Sequence, residues 1–438
     1  MAGPCCAGGA AGSAASGAGG SLWAYFAGLV LATSGVAPVR VMLTTLVLTI
    51  AVPYLVLVLA SPGQLHTTQD ERMYTSVAHR TPVPLPSLRD TADVQLSVVV
   101  PMYNEAARLP AMLDDALAWL EGVRSAGKAL AEDAPSARAP SAAAALTTPL
   151  RTYELVLVDD GSRDATYDVA MAYASARPLL PGAEIRITKL HTNRGKGAAV
   201  RHGVLHARGA FVLFADADGA TRFADMGVLA CEMVRILTPA GHGVVVGSRA
   251  HLVKSEAVVK RSWVRNLLMR GFHVLLSMLM RPPSVQAMWT HMVDRVVPAR
   301  LRRPAAGAEV QKLAVQPAIR DTQCGFKLFS RATAATIFPI AHIDRWIFDV
   351  ELLLLAEMAS RASEADYMLR YGGGDVDARG DVLLRLAVPV AEKAVHWTEI
   401  EGSKISLLRD SVRMGRDLVI IRLNYALGRW SAPGSVYA

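Results

Sequence analysis

Short apolar runs rich in β-branched residues alternate with helix-like stretches in the middle of the chain. Five such runs lie at residues 96–100, 154–158, 185–190, 210–215 and 243–246. Runs of this kind indicate strands that are buried on both faces, because a strand with one face in water would alternate polar and apolar residues. Such strands, alternating with helices, predict an α/β fold in which helices cover a mostly parallel sheet.

A separate apolar segment, Val41–Ala60, has 20 residues without a charged side chain. That length is enough to cross a bilayer as a helix. The chain as a whole is 52% hydrophobic with a mean hydropathy of +0.28, which does not fit a protein with repeated spans. One transmembrane helix is therefore predicted, and a weaker apolar stretch at 22–39 is either a second span or an interfacial segment.

The predicted organisation places one large domain after this helix. It comprises a low-complexity tail over 1–40, the helix over 41–60, a linker over 61–93, the α/β domain over 94–430 and a short tail over 431–438. Segments near 127–148, 281–317 and 362–381 interrupt the alternation of strands and helices, and are interpreted as loop insertions.

The charge balance favours an anionic partner. Lys and Arg number 46 against 38 Asp and Glu, which gives a net charge of +8. Nucleic acid, a membrane surface or a phosphorylated substrate would each suit that charge. Nucleic acid is disfavoured because no aromatic residues alternate with the basic clusters. The four cysteines have neither a disulfide-framework pattern nor the spacing of a zinc site.

Polar motifs follow all five predicted strands. Ligands of open α/β sheets bind beyond the carboxyl ends of the strands, so these motifs are the first candidates for a site. In chain order they are PMYNE at 101–105, DDGSRD at 159–164, NRGKG at 193–197, DADG at 216–219 and GSR at 247–249.

The first three motifs suit a nucleotide. Tyr103 can lie against a base or ribose, while Glu105 and either Asp159 or Asp160 can accept hydrogen bonds from it. Lys196, between two glycines at a predicted helix start, is a plausible ligand of a diphosphate, although its surroundings match neither a P-loop nor a dinucleotide fingerprint. A solvated basic turn is the alternative at Lys196.

The carboxylate pair in DADG predicts a metal site. Asp216 and Asp218 lie two residues apart at the end of an apolar strand, where they repel each other unless a cation neutralises them. Mg²⁺ or Mn²⁺ would do so, with diphosphate oxygens and water as further ligands. A rival interpretation is the nucleophile motif of haloacid-dehalogenase-like phosphohydrolases, but three strands precede this one and an extra alanine separates it from Thr221.

In this order along the chain, the five motifs resemble the inverting GT-A glycosyltransferases of family 2 that act on polyisoprenyl phosphates. Later segments are most similar to the glucose-transferring branch of that family. They are DADGAT at 216–221, DTQCGFK at 321–327, RWIFDVE at 345–351 and WTEIEGSK at 397–404. The resemblance covers residues 96–430 apart from the insertions, and His396 stands where asparagine is expected.

The resemblance implies a hexosyltransferase that moves glucose from UDP-glucose to dolichyl phosphate with Mg²⁺ or Mn²⁺. It implies a place in the endoplasmic reticulum membrane with the catalytic domain on the cytosolic face, and a product, dolichyl β-D-glucosyl phosphate, that serves N-glycan assembly. Transfer of mannose from GDP-mannose is the alternative within the family, and an inactive nucleotide-sugar-binding scaffold is the alternative outside enzymes.

The resemblance also implies roles for individual residues. The catalytic residues would be Asp218, Lys196 and Arg249, with Asp218 and Asp216 as metal ligands. The nucleotide-sugar-binding residues would be Pro101, Tyr103, Glu105, Asp159, Asp160, Lys196, Arg201, Asp216, Ala217 and Asp218. The acceptor or sugar region would hold Asp321, Lys327, Arg345, Trp346, Asp349 and Glu351.

Two further segments have the composition of basic amphipathic helices, at 263–280 and 405–430. Such helices can lie on an anionic leaflet, which would suit an acceptor whose lipid stays in the bilayer. Core-packed helices with a solvated basic face are the alternative.

Overall fold

The computed structural model describes residues 37–63, 67–134, 141–177, 179–254, 319–371, 388–400 and 407–434. The chain divides into two compact units, one up to Ser61 and one from Pro62 onwards. Most of the apolar stretch at 22–39, the insertion at 281–317 and the amphipathic segment at 263–280 lie outside the described residues.

The first unit contains the helix expected from hydropathy. It consists of α1 (Ala37–Leu46), a π-helical turn (Val47–Ala51) and α2 (Val52–Ala60). Within it, Val41–Ala60 is long and apolar enough to cross a membrane, and only 6% of it is buried. The wide turn ends two residues before Pro53, which has no N–H to continue the regular ladder.

The second unit is built on one sheet that has nine strands in the described part of the chain. The strands are β1 (Met73–Ser76), β2 (Val83–Pro84), β3 (Val94–Met102), β4 (Tyr153–Asp159), β5 (Ala183–Lys189), β6 (Gly209–Ala215), β7 (Val244–Ser248), β8 (Phe326–Ser330) and β9 (Val390–Ala394). Their spatial order is β2-β1-β5-β4-β3-β6-β8-β7-β9. Only β1 and β8 run against the direction of the other strands.

Helices cover the sheet on both faces. They are α3 (Leu109–Ser125), α4 (Ala144–Thr147), α5 (Thr166–Ala176), α6 (Lys196–Leu205), α7 (Met226–Ile236), α8 (Arg331–Ile337), α9 (Phe348–Tyr371) and α10 (Leu407–Ala426). Leu96, Val98, Val99 and Val100 of β3 are all fully buried, so neither face of this strand is open to water. The α/β fold predicted from the apolar runs is confirmed.

The sheet is more mixed than the sequence predicted, because β8 lies between β6 and β7 and pairs antiparallel with both. Its sequence, FKLFS, carries a lysine in the middle of the strand. Lys327 is nevertheless fully buried, because the carboxylate of Asp349 lies 2.7 Å from its Nζ atom.

Two boundaries in the predicted organisation are wrong. Residues 61–93 were predicted to be a linker, but β1 and β2 lie there and β1 pairs with β5. Glu71 in the same stretch is buried against Arg194, with 2.6 Å between Oε2 and a guanidinium nitrogen. The segment 362–381 was predicted to be a loop, yet α9 continues through its first ten residues to Tyr371, and residues 372–381 lie outside the described part of the chain.

The predicted insertion at 127–148 packs on the protein. Leu130, Ala143 and Leu146 are buried in the main core, and Ala129 forms a bridge with Pro149. Its described residues therefore cover the sheet rather than extending into solvent.

Candidate active site

The polar motifs meet at one edge of the sheet. Met102, Asp159 and Lys189 are neighbours in register at the ends of β3, β4 and β5, and β6 ends alongside at Ala215. The residues that follow these strand ends therefore lie close together, as expected for parallel strands.

An ion pair between Lys196 and Asp216 lies at the centre of this edge. The Nζ atom of Lys196, the first residue of α6, is 2.6 Å from Oδ1 of Asp216, and the two side chains are 19% and 30% exposed. Burial lowers the pKa of Lys196, but the carboxylates of Asp216, Asp349 and Asp218 outweigh it and hold that pKa above its usual value. The amine is therefore a permanent cation facing the solvent edge of the sheet.

Asp218 adds a second carboxylate beside Asp216. Burial, together with the negative charge of Asp216, raises the pKa of Asp218 above its usual value, although the Ala220 N–H donates to its Oδ1. Lys196 and Arg108 oppose this shift without cancelling it, and carboxylate oxygens of this kind suit Mg²⁺ or Mn²⁺. Among the described residues there is no group of three or more Asp, Glu, His or Cys side chains that could hold a metal ion.

The loop that carries Lys196 is fixed by Asp160. The backbone N–H groups of Arg194 and Gly195 donate to its two carboxylate oxygens, each at 2.8 Å. Burial raises the pKa of Asp160 to about 7 in spite of these two bonds. Gly195 itself has φ +112°, and a Cβ there would lie 2.5 Å from the Asp344 carbonyl oxygen. The structure thus places Asp160 under the loop, where it positions Lys196.

Asp159 is the better placed of the two neighbouring carboxylates to meet a ligand. Its Oδ1 accepts from the Ser162 N–H at 3.0 Å, whereas its buried Oδ2 has no hydrogen-bond partner among the described residues. A buried acceptor without a partner costs free energy that a ligand N–H can offset.

The Pro101–Glu105 motif lies beside these carboxylates. Glu105 forms a two-pronged ion pair with Arg108, with 2.7 Å for each contact. Asn104 takes a positive φ of 53° and is tied to the second motif, since its Oδ1 accepts from the Arg163 N–H. Pro101 and Tyr103 are half-buried at the same strand end.

Arg249, after β7, is held by Asp321. Its backbone N–H and Nε donate to Oδ2 at 2.9 and 2.7 Å, and a terminal nitrogen donates to Oδ1 at 2.8 Å. Burial lowers the pKa of Arg249, but the Asp321 carboxylate raises it by more. The pKa therefore stays above its usual value and the guanidinium stays charged. It also lies 5.6 Å from the ring centre of Trp397.

The segment around Trp397 runs alongside the DADG loop. Thr221 and Trp397 form an antiparallel bridge, and the Thr398 N–H donates to the Ala220 carbonyl at 2.9 Å. His396 occupies the position where asparagine was expected, and its Nδ1 lies 3.0 Å from Oδ1 of the buried Asp225.

A second ion pair, between Lys327 and Asp349, lies next to the Lys196–Asp216 pair. Lys327 and Asp349 are both buried, and each of the two lysines lies near the ring of Phe214, at 5.3 Å for Lys196 and 5.4 Å for Lys327. Burial raises the pKa of Asp349, with Lys327 and Lys196 opposing that shift. Trp346 is also adjacent, 5.9 Å from the Lys196 amine.

Two predicted site residues are not brought into this cluster. Arg201 donates to the carbonyl oxygens of Phe338 and Pro339 at 3.1 and 3.2 Å. Glu351 accepts from the Ile343 N–H and from the Tyr425 hydroxyl at 2.7 and 2.8 Å. Both side chains therefore tie helices together.

Two residues at the site were not predicted. A Cβ on Gly325 would lie 1.9 Å from Oδ2 of Asp216, so only glycine leaves room for that carboxylate. Arg108 adds a positive charge that acts on Asp218. Its spacing of three residues from Glu105 at a helix start was the available signal.

Comparison with known proteins shows the family to which the chain belongs. A model described as glycosyl transferase family 2 matches residues 97–263. The dolichyl-phosphate β-glucosyltransferase of Drosophila melanogaster is 38% identical over 364 residues, covering 83% of this chain and 85% of that protein. The human protein of the same name is 36% identical, with 84% and 86% covered. The chain belongs to the dolichyl-phosphate β-glucosyltransferase family.

The yeast member of the family is 34% identical over 400 residues, covering 89% of this chain and 94% of that protein. Among solved structures, glucosyl-3-phosphoglycerate synthase from Mycobacterium tuberculosis with UDP has a TM-score of 0.36 at 16% identity, with 76% and 80% of the two chains covered. A mannosyltransferase from Pyrobaculum calidifontis, in complex with GDP-mannose and Mn²⁺, has a TM-score of 0.37 at 15% identity, with 80% and 69% covered.

Proposed function

We propose that this glycosyltransferase moves glucose from UDP-glucose to dolichyl phosphate at the edge of the sheet around Asp216 and Lys196. The central observation is the Lys196–Asp216 ion pair beside the crowded Asp218 carboxylate. Family membership supports glucose and dolichyl phosphate as the transferred sugar and the acceptor. The apolar helix Val41–Ala60 supports a membrane location, which we propose is the endoplasmic reticulum with the catalytic unit in the cytosol.

The nucleotide of the donor would lie over the ends of β3 and β4. Tyr103 offers a flat ring for the base or ribose, and the free Oδ2 of Asp159 offers an acceptor for a base N–H. Asp160 would act indirectly, through the loop that it fixes.

The diphosphate would lie between Lys196 and Arg249. Both are held as cations by neighbouring carboxylates, so they are pre-organised to receive negative charge. Asp216 and Asp218 would hold Mg²⁺ or Mn²⁺, which supplies further charge stabilisation to the leaving diphosphate. The amine of Lys196, which is paired with Asp216, would contribute its positive charge to binding the diphosphate.

The acceptor needs no general base on the protein. A phosphate monoester has its second pKa near about 6 and is already an anionic nucleophile at pH 7. The protein's task is to hold two anionic reactants in line in spite of their repulsion. A single displacement then inverts the α-linked donor to a β-linked product.

A side-by-side transfer assay tests this proposal. Purified full-length protein is given UDP-glucose or GDP-mannose with dolichyl phosphate, and sugar in the lipid fraction is counted. Transfer from UDP-glucose, exceeding that from GDP-mannose by at least about a hundredfold, is expected because a base pocket discriminates strongly through its hydrogen bonds. Preference for GDP-mannose, or no transfer from either donor, would contradict the proposal.

A further inference from the structure

Helix α10 presents one continuous face to the outside. Its exposed positions recur at spacings of three and four, which places them on one side of the helix. They are Arg409, Val412, Arg416, Val419, Leu423 and Ala426, and the exposed Leu427 follows directly after the helix. This set, called the α10 outer face below, contains large apolar and basic side chains and no acidic one.

The two acidic residues of α10 point inwards. Asp410 and Asp417 are each only 7% exposed, and they contact Arg413 and Arg416 at 3.8 and 2.7 Å. Arg416 of the outer face keeps an exposed side chain, at 57%, although Asp417 pairs with it, and Arg409 adds a second exposed guanidinium to this face.

The opposite side of α10 is firmly packed. Leu418, Ile420 and Ile421 are buried, and the Tyr425 hydroxyl donates to Glu351 at 2.8 Å. Because the helix is anchored in this way, the exposure of its apolar residues is a property of the folded unit and not of a frayed end.

A water-facing helix of the same protein has a different surface. The exposed positions of α3 are Ala111, Asp114, Asp115, Ala118, Gly122 and Ser125, with no large apolar side chain. On α10, by contrast, Val412 is 68% exposed and Leu423 41%. Exposed Val and Leu in a row along a helix, flanked by arginines, are typical of a surface that meets lipid.

We propose that the α10 outer face lies on the surface of a membrane that carries anionic lipids, with its Val and Leu side chains inserted among the acyl chains. Arg409 complements anionic headgroups, and the exposed guanidinium of Arg416 adds a smaller attraction because Asp417 partly neutralises it. The chain carries its own apolar helix, Val41–Ala60, which would keep the unit beside a bilayer. Membrane contact is therefore available to this face without a further partner.

The consequence for catalysis rests on the proposed function. On its inner side, α10 reaches the site, because the Gln323 amide donates to the sulfur of Met414 at 3.3 Å. Arg345 and Trp346 line a small pocket together with Met414 and Arg413 of α10. A helix lying on the membrane would thus hold the site within one helix thickness of a lipid-borne acceptor.

Lipid contact is measured on the full chain in vesicles of phosphatidylcholine with phosphatidylserine. A fluorophore is attached at V419C, in a background where Cys5, Cys6 and Cys231 are serine and the buried Cys324 is kept. The matched control is V228C on α7, since Val228 is 45% exposed and Val419 39%. Nitroxide-labelled lipid should quench the label at 419 at least about threefold more than that at 228, because only the former lies among acyl chains.

Equal quenching at the two positions would overturn the proposal. Such a result would mean that the face meets water or protein in the vesicle sample, and not acyl chains.

A second measurement links the face to turnover. The double variant V419D/L423D should transfer glucose to dolichyl phosphate in these vesicles about tenfold more slowly, while transfer to a short, water-soluble isoprenyl phosphate stays unchanged. V228D is the control and should match wild type on both acceptors. Equal losses on both acceptors would overturn the link between the face and the acceptor. A wild-type chain that transfers no glucose would refute the proposed function, while the quenching result would still decide where α10 lies.

Discussion

At the scale of single residues, the site is defined by a few close approaches that leave no room for change. Asp216 is surrounded by the Lys196 amine at 2.6 Å and the backbone of Gly325, whose carbonyl accepts from the Asp216 N–H at 3.1 Å. The sequence predicted the charged residues here, because carboxylates and a glycine-flanked lysine are conspicuous after strands. It did not predict the need for Gly325, since that need arises only when β8 is placed beside β6.

The substitution Gly325→Ala tests this approach. A methyl group would overlap the Asp216 carboxylate and displace it, so transfer should fall by about a hundredfold or more with the fold retained. Gly122→Ala is the matched control, because nothing lies within 4 Å of its added Cβ and helices favour alanine. Initial rates of glucose transfer, with circular dichroism to check folding, measure both variants. An active Gly325→Ala variant would show that the carboxylate position tolerates movement.

At the scale of elements, five strands of the described chain were predictable and the four others were not. The five lie in the sheet interior, and β3, β4, β6 and β7 each contain three or more consecutive apolar residues, the pattern of burial on both faces. Strands β1 and β2 are short and lie at the sheet edge, and β9 alternates weakly. Strand β8 depends on a lysine whose partner, Asp349, is 22 residues further along the chain, so no local pattern could indicate it.

Helix α6 carries a buried histidine, His202. Because burial changes its pKa on folding, the stability of the protein depends on pH. Burial, with His206 beside it, lowers the pKa of His202 from 6.5 to about 3. As pH falls below 6.5 the unfolded chain takes up a proton that the folded chain refuses until about pH 3, so stability is lost in this window. Between pH 7 and pH 5 the free energy of unfolding should fall by about 2 kcal/mol from this group.

Denaturant unfolding of wild type and His202→Gln at the two pH values measures that loss. The variant lacks the titrating ring, so its free energy of unfolding should decline by about 2 kcal/mol less than that of wild type over the same interval. Identical declines would mean that His202 carries a proton in the folded state.

At the scale of the whole molecule, the first unit holds an apolar helix, Val41–Ala60, whose proposed role is that of a tether to the bilayer, and the second unit holds the candidate site. The helix was predictable from length and hydropathy, because 20 residues without a charge meet the length of a span. The start of the second unit was not predictable, because the edge strands β1 and β2 are too short to give a recognisable sequence pattern.

Deletion of residues 1–60 tests the tether. The loss should be at least about tenfold on long-chain dolichyl phosphate in vesicles, because the tether raises the effective concentration of enzyme at the acceptor. Transfer to a short, soluble analogue should be retained. The comparison uses the same protein preparation with both acceptors, and equal losses would remove any role for the tether in presenting substrate.

The most direct test of the central claim is glucose transfer by wild type and Asp218→Asn after EDTA treatment and return of Mn²⁺. Wild-type transfer should vanish with EDTA and recover with Mn²⁺. Asp218→Asn should fold normally, because removing a crowded carboxylate relieves repulsion, yet stay at least about a hundredfold below wild type at any Mn²⁺ concentration. Wild-type activity that survives EDTA, or substantial transfer by Asp218→Asn, would contradict a metal site at this carboxylate pair.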